Sequence, residues 1–405
     1  MEHKISGVTP CSVSVEDPDL PSVTILSPLF READALPSLA RAIDALEYPT
    51  HLLDVKIILE EDDEQTRREV DRLGLDQHFD IIIVPHSNPK TKPKACNFAL
   101  AYATGELTVI YDAEDIPDTD QILKAVEAFR RGPDELICVQ AQLNFYNRSD
   151  NWLTRLFALE YALWFDNLLP ALRKLNAPIP LGGTSNIFKT KALRELGAWD
   201  PYNVTEDADL GIRIARHGGL VGLIDSTTYE EANARLGNWL RQRSRWMKGY
   251  LQTWLVDLRA PKQSSKPQWR SALSTQLFVA GTVLSALLNP IFWGIFIYWV
   301  ATKSQDIAAI FPEPLLSLNL FALLFGNSVF LYLAITAPLK RGWPELAPAA
   351  LLAPVYWWMT SLAAYIAVWQ LMTNPHFWEK TDHVVSAGGK ARRNESIKAF
   401  RDHGN

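Results

Sequence analysis

Residues 107–115 read Leu-Thr-Val-Ile-Tyr-Asp-Ala-Glu-Asp. The first five are apolar, β-branched or aromatic, the composition of a short buried strand, and three carboxylates follow directly behind them. Upstream, Gly105 closes a helical pattern over 93–103. Similar short runs stand at Val23–Leu26, Val55–Leu59 and Ile81–Val84, separated by helical patterns over 33–46 and 63–73. Strands alternating with helices predict βαβ units and a mainly parallel sheet covered on both faces. In such sheets ligands bind beyond the carboxyl ends of the strands. Glu60-Glu61-Asp62-Asp63 follows the second run, so two acidic clusters from different strands should open onto one rim.

The averages exclude several classes. With 405 residues, 48% of them hydrophobic, the chain is too long for one small core and too apolar for disorder. Three cysteines and no C-x-x-C pair rule out a disulfide framework and a zinc ribbon. A net charge of −6 argues against a nucleic-acid polycation. No G-x-G-x-x-G follows the first strand and no G-x-x-x-x-G-K-[ST] occurs, so neither a dinucleotide dehydrogenase nor a P-loop NTPase is supported.

The charges are unevenly spread. Of 86 charged residues, six fall between Ser271 and Trp378, leaving charge-free runs at 271–302, 314–339 and 346–378. A crossing helix needs about 20 apolar residues, so each run is long enough. Tryptophans near their ends (Trp299, Trp343, Trp378) suit interfacial anchors. Residues 1–22 are polar and broken by prolines, without a signal-peptide pattern, so the polar region is expected on the cytoplasmic side. Lys340 and Arg341, and the later Lys390, Arg392 and Arg393, should also lie inside, which favours two spans with the third run along the interface. Pro348 and Pro354 fit such a broken start; three spans would put the basic tail outside. The expected units are a polar segment over 1–20, a catalytic domain over 21–235, an interface helix over 236–270, a membrane region over 271–378 and a basic tail over 379–405. Trp152–Leu175 and Leu236–Leu258 are amphipathic and rich in tryptophan, and are expected at the headgroup level rather than simply packed on the sheet.

Three motifs carry chemistry. Asp112, Glu114 and Asp115 are hard oxygen donors of the kind that share Mg²⁺ or Mn²⁺ with a substrate diphosphate. In Thr205-Glu206-Asp207, Thr205 can cap the helix over 208–216 while Asp207 serves as a general base. In Gln242-Arg243-Ser244-Arg245-Trp246, Gln242 and Trp246 share one helix face, where arginines suit a diphosphate and an indole suits a sugar ring.

An acidic cluster after strand two, D-A-E-D, T-E-D, Q-R-S-R-W and then membrane helices, in that order, resembles glycosyltransferase family 2. The likeness is to its membrane-integrated cellulose-, chitin- and hyaluronan-synthase branch and extends over about residues 20–385. The resemblance implies a GT-A fold, a nucleotide-sugar-binding mixed, mainly parallel sheet, followed by amphipathic interface helices and a C-terminal transmembrane region. It implies that Glu60, Glu61 or Asp62 holds the nucleoside and that Lys92 or Lys94, in Thr91–Asn97, contacts it. Asp112-x-Glu114 stands where the family has D-x-D, so Asp112, Glu114 and Asp115 are the implied ligands of Mg²⁺ or Mn²⁺. Gly183 and Thr184 would line the acceptor path, with Glu206 and Asp207 the catalytic carboxylates and Asp207 the base. Gln242, Arg243, Arg245 and Trp246 would hold diphosphate and sugar. Phe377–Thr381 occupies the position of a gating loop.

The implied activity is inverting transfer of a hexose from a UDP-sugar, UDP-glucose first, to a growing β-linked polysaccharide. A single-transfer glycolipid glucosyltransferase of the ceramide type carries similar elements and is the main alternative. A non-catalytic membrane subunit is a third reading, and a transporter is disfavoured because the three runs lack ionisable residues. The implied partners are the donor, a polysaccharide or glycolipid acceptor, membrane lipids, and export or regulatory proteins.

Overall fold

The structure, a computed structural model, describes residues 11–259, 273–303 and 312–374. The strands are β1 (Val23–Leu29), β2 (Leu53–Glu60), β3 (Asp80–Val84), β4 (Leu107–Ile110), β5 (Ile116–Pro117), β6 (Leu136–Phe145), β7 (Asn186–Lys189) and β8 (Leu220–Glu230). They form one mixed sheet in the order β3-β2-β1-β4-β7-β6-β8-β5. The β3–β2, β2–β1, β1–β4 and β6–β8 pairings are parallel, and the three that involve β5 and β7 are antiparallel. The α/β half holds helices α1 (Leu36–Asp44), α2 (Glu64–Leu73), α3 (Lys92–Leu100), α4 (Gln121–Arg131), α5 (Trp152–Leu163), α6 (Leu169–Lys174), α7 (Thr190–Glu195), α8 (Glu206–Arg216) and α9 (Leu236–Arg259). Beyond them lie α10 (Gly281–Thr302), α11 (Leu315–Lys340) and α12 (Ala353–Thr373).

Strand side chains alternate between faces with period two, and here each face meets its own core. Ile25, Ile57 and Val109 join Leu36, Leu39, Ile122 and Val126 on one side. Leu26, Ile58 and Ile110 join Ala95, Ala99, Leu210 and Ile214 on the other. This double burial explains why the strands read as nearly unbroken apolar runs. β2 and β4 flank β1 in register, Ile25 facing both Val55 and Val109, so the two acidic clusters emerge at the same edge.

Among the described residues, three helical segments are long and apolar enough to cross a membrane: Leu273–Thr302, Leu315–Lys340 and Pro344–Thr373. The first begins at the α/β half, where the Trp254 indole donates to Gln276 at 2.5 Å. The second ends there. Arg341 donates both to Asp166 Oδ2 (2.5 Å) and to Oδ1 (2.6 Å), each side chain 9% exposed, and Lys340 donates to Asn167. Arg341 is thus consumed inside the protein rather than offered to lipid. The third starts as a 3-10 segment over Pro344–Leu352, with Pro354 in the first turn of α12, where a missing N–H costs nothing. It then runs beside α9: the Trp239 indole donates to Tyr356, and Met247 and Leu251 cluster with Ala364 and Ala367.

The two amphipathic segments pack against protein. α5 buries Leu153, Leu156 and Phe157 against Phe145 of the sheet and Ala334 of α11, and α9 buries Trp239, Arg243 and Lys248. α5 packs on β6, α11 and the 3-10 segment, and α9 packs on α12 and α8, while Trp152, Leu236, Val256 and Leu258 stay exposed. Residues 1–10, the Phe377–Thr381 segment and the basic tail lie outside the described residues.

Candidate active site

The rim begins with Glu60, the last residue of β2, 5% exposed, where the Lys94 ammonium pairs with Oε1 at 2.8 Å. Of the three acids expected at the nucleoside, Glu60 lines the central cavity and the other two do not. Glu61 accepts from the His86 N–H at 3.0 Å and Asp62 pairs with Lys90 at 2.6 Å. A turn after the strand rotates successive side chains away from one another, so a run of acids cannot share a single target. Lys94 is correspondingly spent on Glu60, while Lys92 faces the cavity.

Lys92 lies at the centre of the constellation. Its ammonium sits 2.6 Å from Asp112 Oδ1 and donates at 2.7 Å to the Gly183 carbonyl. Burial alone would lower its pKa, but the charges of Asp112 and Glu206 outweigh that and hold it above the ordinary lysine value. Gly183 also adjoins the next group: a Cβ there would stand in ordinary contact with Asp207 Oδ2, at 3.5 Å. Donor-side carboxylate and expected base therefore meet across one lysine and one glycine.

Asp115 turns the other way. It is fully buried, and its Oδ2 accepts from the Asp112 N–H at 2.7 Å and from the Thr184 hydroxyl, while Oδ1 has no hydrogen-bond partner. Burial and the Asp112 charge push its pKa well up. Asp115 thus braces the loop from below and holds the Thr184 hydroxyl. Among the described residues no three His, Cys, Asp or Glu side chains converge as a ready-made metal cage. Mg²⁺ and Mn²⁺ need only one or two protein carboxylates when substrate phosphates complete the shell. Asp112 and Glu114, both lining the cavity, fit that requirement.

Glu206 and Asp207 open α8. Thr205 occupies the cap position without capping: its N–H donates instead to Asn203 at 3.0 Å, and Asn203 donates to Thr253 on α9 at 2.9 Å. Burial, opposed by the Ala208 N–H and the Lys92 charge, lifts Asp207 to about 6. Burial and the Asp207 charge lift Glu206 to about 7, partly offset by Lys92 and by the Arg245 guanidinium. α9 can approach this loop because residue 249 is glycine; a Cβ there would lie 2.4–2.9 Å from the Thr205 side chain.

Gln242, Arg245 and Trp246 line the cavity as expected. Arg243 also lines the cavity, with its guanidinium engaged inside the protein. It is 7% exposed, donates to both Glu160 oxygens and to the Tyr356 hydroxyl, and lies within 5.0–5.9 Å of four aromatic rings. It is a rivet joining α9 to α5 and α12. Four acids that sequence reasoning missed also line the cavity: Glu32 and Asp34 after β1, Glu160, this rivet's partner, and Glu230 at the end of β8. Burial and then the charges of Asp115, Glu114 and Asp112 raise Glu230. Glu230 was legible only as an acid after a strand, the same signal that marks Glu60 and Asp112.

The cavity has a volume of about 1850 Å³ and runs from Phe30 and Glu60 past Asp112 and Asp207 to the walls of α10, α11 and α12. A model of the glycosyl transferase family group 2 matches residues 107–373, from β4 to the end of α12. The chain belongs to this family. Within it, a probable glycosyltransferase, YdaM, of Bacillus subtilis is 24% identical over 235 residues, 57% of this chain and 56% of its own. A beta-monoglucosyldiacylglycerol synthase of Trichormus variabilis is 26% identical over 243 residues, 58% and 50% respectively. The chain spans about half the length of the curated relatives it matches. Among solved structures, the mannosyltransferase PcManGT of Pyrobaculum calidifontis, in complex with GDP-Man and Mn²⁺, superposes with a TM-score of 0.57. It is 19% identical and covers 89% of this chain and 90% of its own. The fold is GT-A, continued by a helical C-terminal region.

Proposed function

We propose that this chain is an inverting, metal-dependent hexosyltransferase that uses a nucleotide-diphosphate sugar, UDP-glucose first among candidates, to glycosylate a lipid acceptor held in the membrane. One observation carries the reading: a single cavity joins the carboxylates Asp112 and Asp207 to apolar walls such as Phe278, Leu288, Phe292 and Phe330. An acceptor hydroxyl can reach Asp207 there while the rest of the molecule stays among the helices. The glycolipid synthase relative supports this, and the GDP-Man and Mn²⁺ held by the structural neighbour support a nucleotide-sugar donor and a divalent ion.

In the reaction, the acceptor oxygen bonds to the anomeric carbon as the bond from that carbon to the diphosphate oxygen breaks, inverting configuration. Asp207 takes the hydroxyl proton in the same step; its raised pKa makes it a stronger base than an ordinary carboxylate. Asp112 and Glu114 would hold Mg²⁺ or Mn²⁺, which neutralises charge on the leaving diphosphate. Lys92 and Arg245 add fixed positive charge beside it. Gln242 is oriented by Asn233 at 2.9 Å, and Trp246 offers an aromatic face to the sugar. Glu60 holds the nucleoside.

Polymer synthesis is the second reading, favoured by Trp246 within Q-x-x-R-W. Purified protein with radiolabelled UDP-glucose, Mn²⁺ and native membranes separates the two. Label in one organic-soluble lipid supports the proposal; an insoluble product cleaved by β-glucanase supports the polymer.

A further inference from the structure

The part of the cavity inside the membrane region has an opening of its own. α10 packs on α12 and α9, whereas α11 packs on α5 and the 3-10 segment. The cavity passes between α10 and α11. On α10 it is lined by Thr282, Ser285, Asn289 and Phe292, spaced three or four apart and so on one face. On α11 the matching face carries Gly326, Asn327 and Phe330. A Cβ on Gly326 would meet nothing within 4 Å, so this wall borders open space.

Two carboxamides stand in that cleft. Asn289 lies thirteen residues past Gln276 and Asn327 thirteen residues before Lys340, the points where the helices are tied to the catalytic half. At 1.5 Å per residue both are about 20 Å from it. Asn289 makes no side-chain hydrogen bond with any described residue; Asn327 donates to its own helix at Leu323 (2.5 Å), leaving its side-chain oxygen for a ligand. An amide facing hydrocarbon without a partner is costly, so it marks a place where a polar group comes to lie.

We infer that the acceptor enters sideways from the bilayer through the α10–α11 cleft, and that Asn289 and Asn327 hydrogen-bond a carbonyl or hydroxyl of an acyl lipid whose chains stay in the cleft. This rests on the lipid-acceptor reading above. The occupant is a lipid rather than a sugar chain because Leu288, Phe292, Leu323 and Phe330 flank the amides, and a polysaccharide would leave its many hydroxyls unpaired against them.

The test uses the full-length protein in phosphatidylcholine vesicles containing diacylglycerol, with labelled UDP-glucose and Mn²⁺, and scores label in the organic phase beside hydrolysis of the donor to free glucose. Gly326→Trp plugs the cleft where there is room for the indole. Transfer to diacylglycerol is expected to fall at least tenfold, chiefly through KM, with a smaller loss of hydrolysis. Gly294→Trp, on α10 but outside the cavity lining, should behave as wild type, and Asn289→Leu should raise KM for the lipid severalfold. Wild-type lipid transfer in both Gly326→Trp and Asn289→Leu would overturn the cleft while leaving the lipid acceptor standing. Aqueous polymer and no organic-phase label from the unaltered protein would overturn the lipid acceptor itself, and the cleft with it.

Discussion

Asp207 owes its basicity to position. Buried at the first turn of α8, beside Glu206 and across Gly183 from Lys92, its carboxyl is lifted to about 6. Transfer at saturating donor should therefore fall as the pH is lowered through about 6, because a protonated carboxyl cannot accept the acceptor's proton. Stability should move the opposite way. A carboxyl whose folded pKa is raised binds protons more readily than the unfolded chain does, so these two groups favour the folded state as the pH drops through about 7 and 6. Initial rates and melting temperatures over pH 5–8 check both trends; a flat rate profile would remove Asp207 from the role of base. Asp112, Glu114, Asp207, Gln242 and Trp246 each sit in a motif beside a strand end or on a helix face, and all five line the cavity. The sequence could not separate Asp115 from its neighbours, since whether an acid faces the cavity or braces the loop depends on Thr184, 69 residues away. The partners of Arg243 were out of reach for the same kind of reason: Glu160 and Tyr356 meet it across 83 and 113 residues of chain.

At the level of elements, the contact of α9 with the start of α8 brings Gln242, Arg245 and Trp246 to the cavity that Asp207 lines. Gly249 permits it. Gly249→Ala forces its Cβ into Thr205, at 2.4–2.9 Å in the present geometry, so α9 must shift. The expected outcome is a loss of about 1–3 kcal/mol in stability with transfer reduced at least tenfold. Gly237, on the same helix, meets nothing within 4 Å, and Gly237→Ala should leave transfer intact and stability equal or slightly higher. Thermal melts and transfer assays of the pair distinguish a local clash from a general effect of alanine. Helix and strand positions were largely visible from periodicity: the run read at 93–103 forms α3 over Lys92–Leu100, and Leu236–Leu258 is α9 to within a residue. What covers each helix was not visible, because an aromatic-rich amphipathic face looks alike whether it meets lipid or protein.

For the whole molecule, a mean hydropathy of −0.05 averages a charged α/β half and a helical half with few charges. The structure ties both α10 and α11 to the catalytic half at one end, through Gln276 and Arg341. If the pair spans the bilayer, their other ends, at Lys303 and Leu315, lie on the far side. A cysteine replacing Lys303 should then react with a membrane-impermeant maleimide added to the face opposite the catalytic half; reaction from the catalytic face alone would contradict a crossing hairpin. The central claim is that transfer runs through Asp207 in a cavity that binds its donor independently of that carboxylate. The most direct measurement pairs UDP-glucose binding in Mn²⁺ by calorimetry with transfer to membrane lipid in the Asp207→Asn variant. Binding within a factor of about three of the unaltered protein, with transfer down at least a hundredfold, is the predicted result. Transfer within tenfold of the unaltered protein would contradict it.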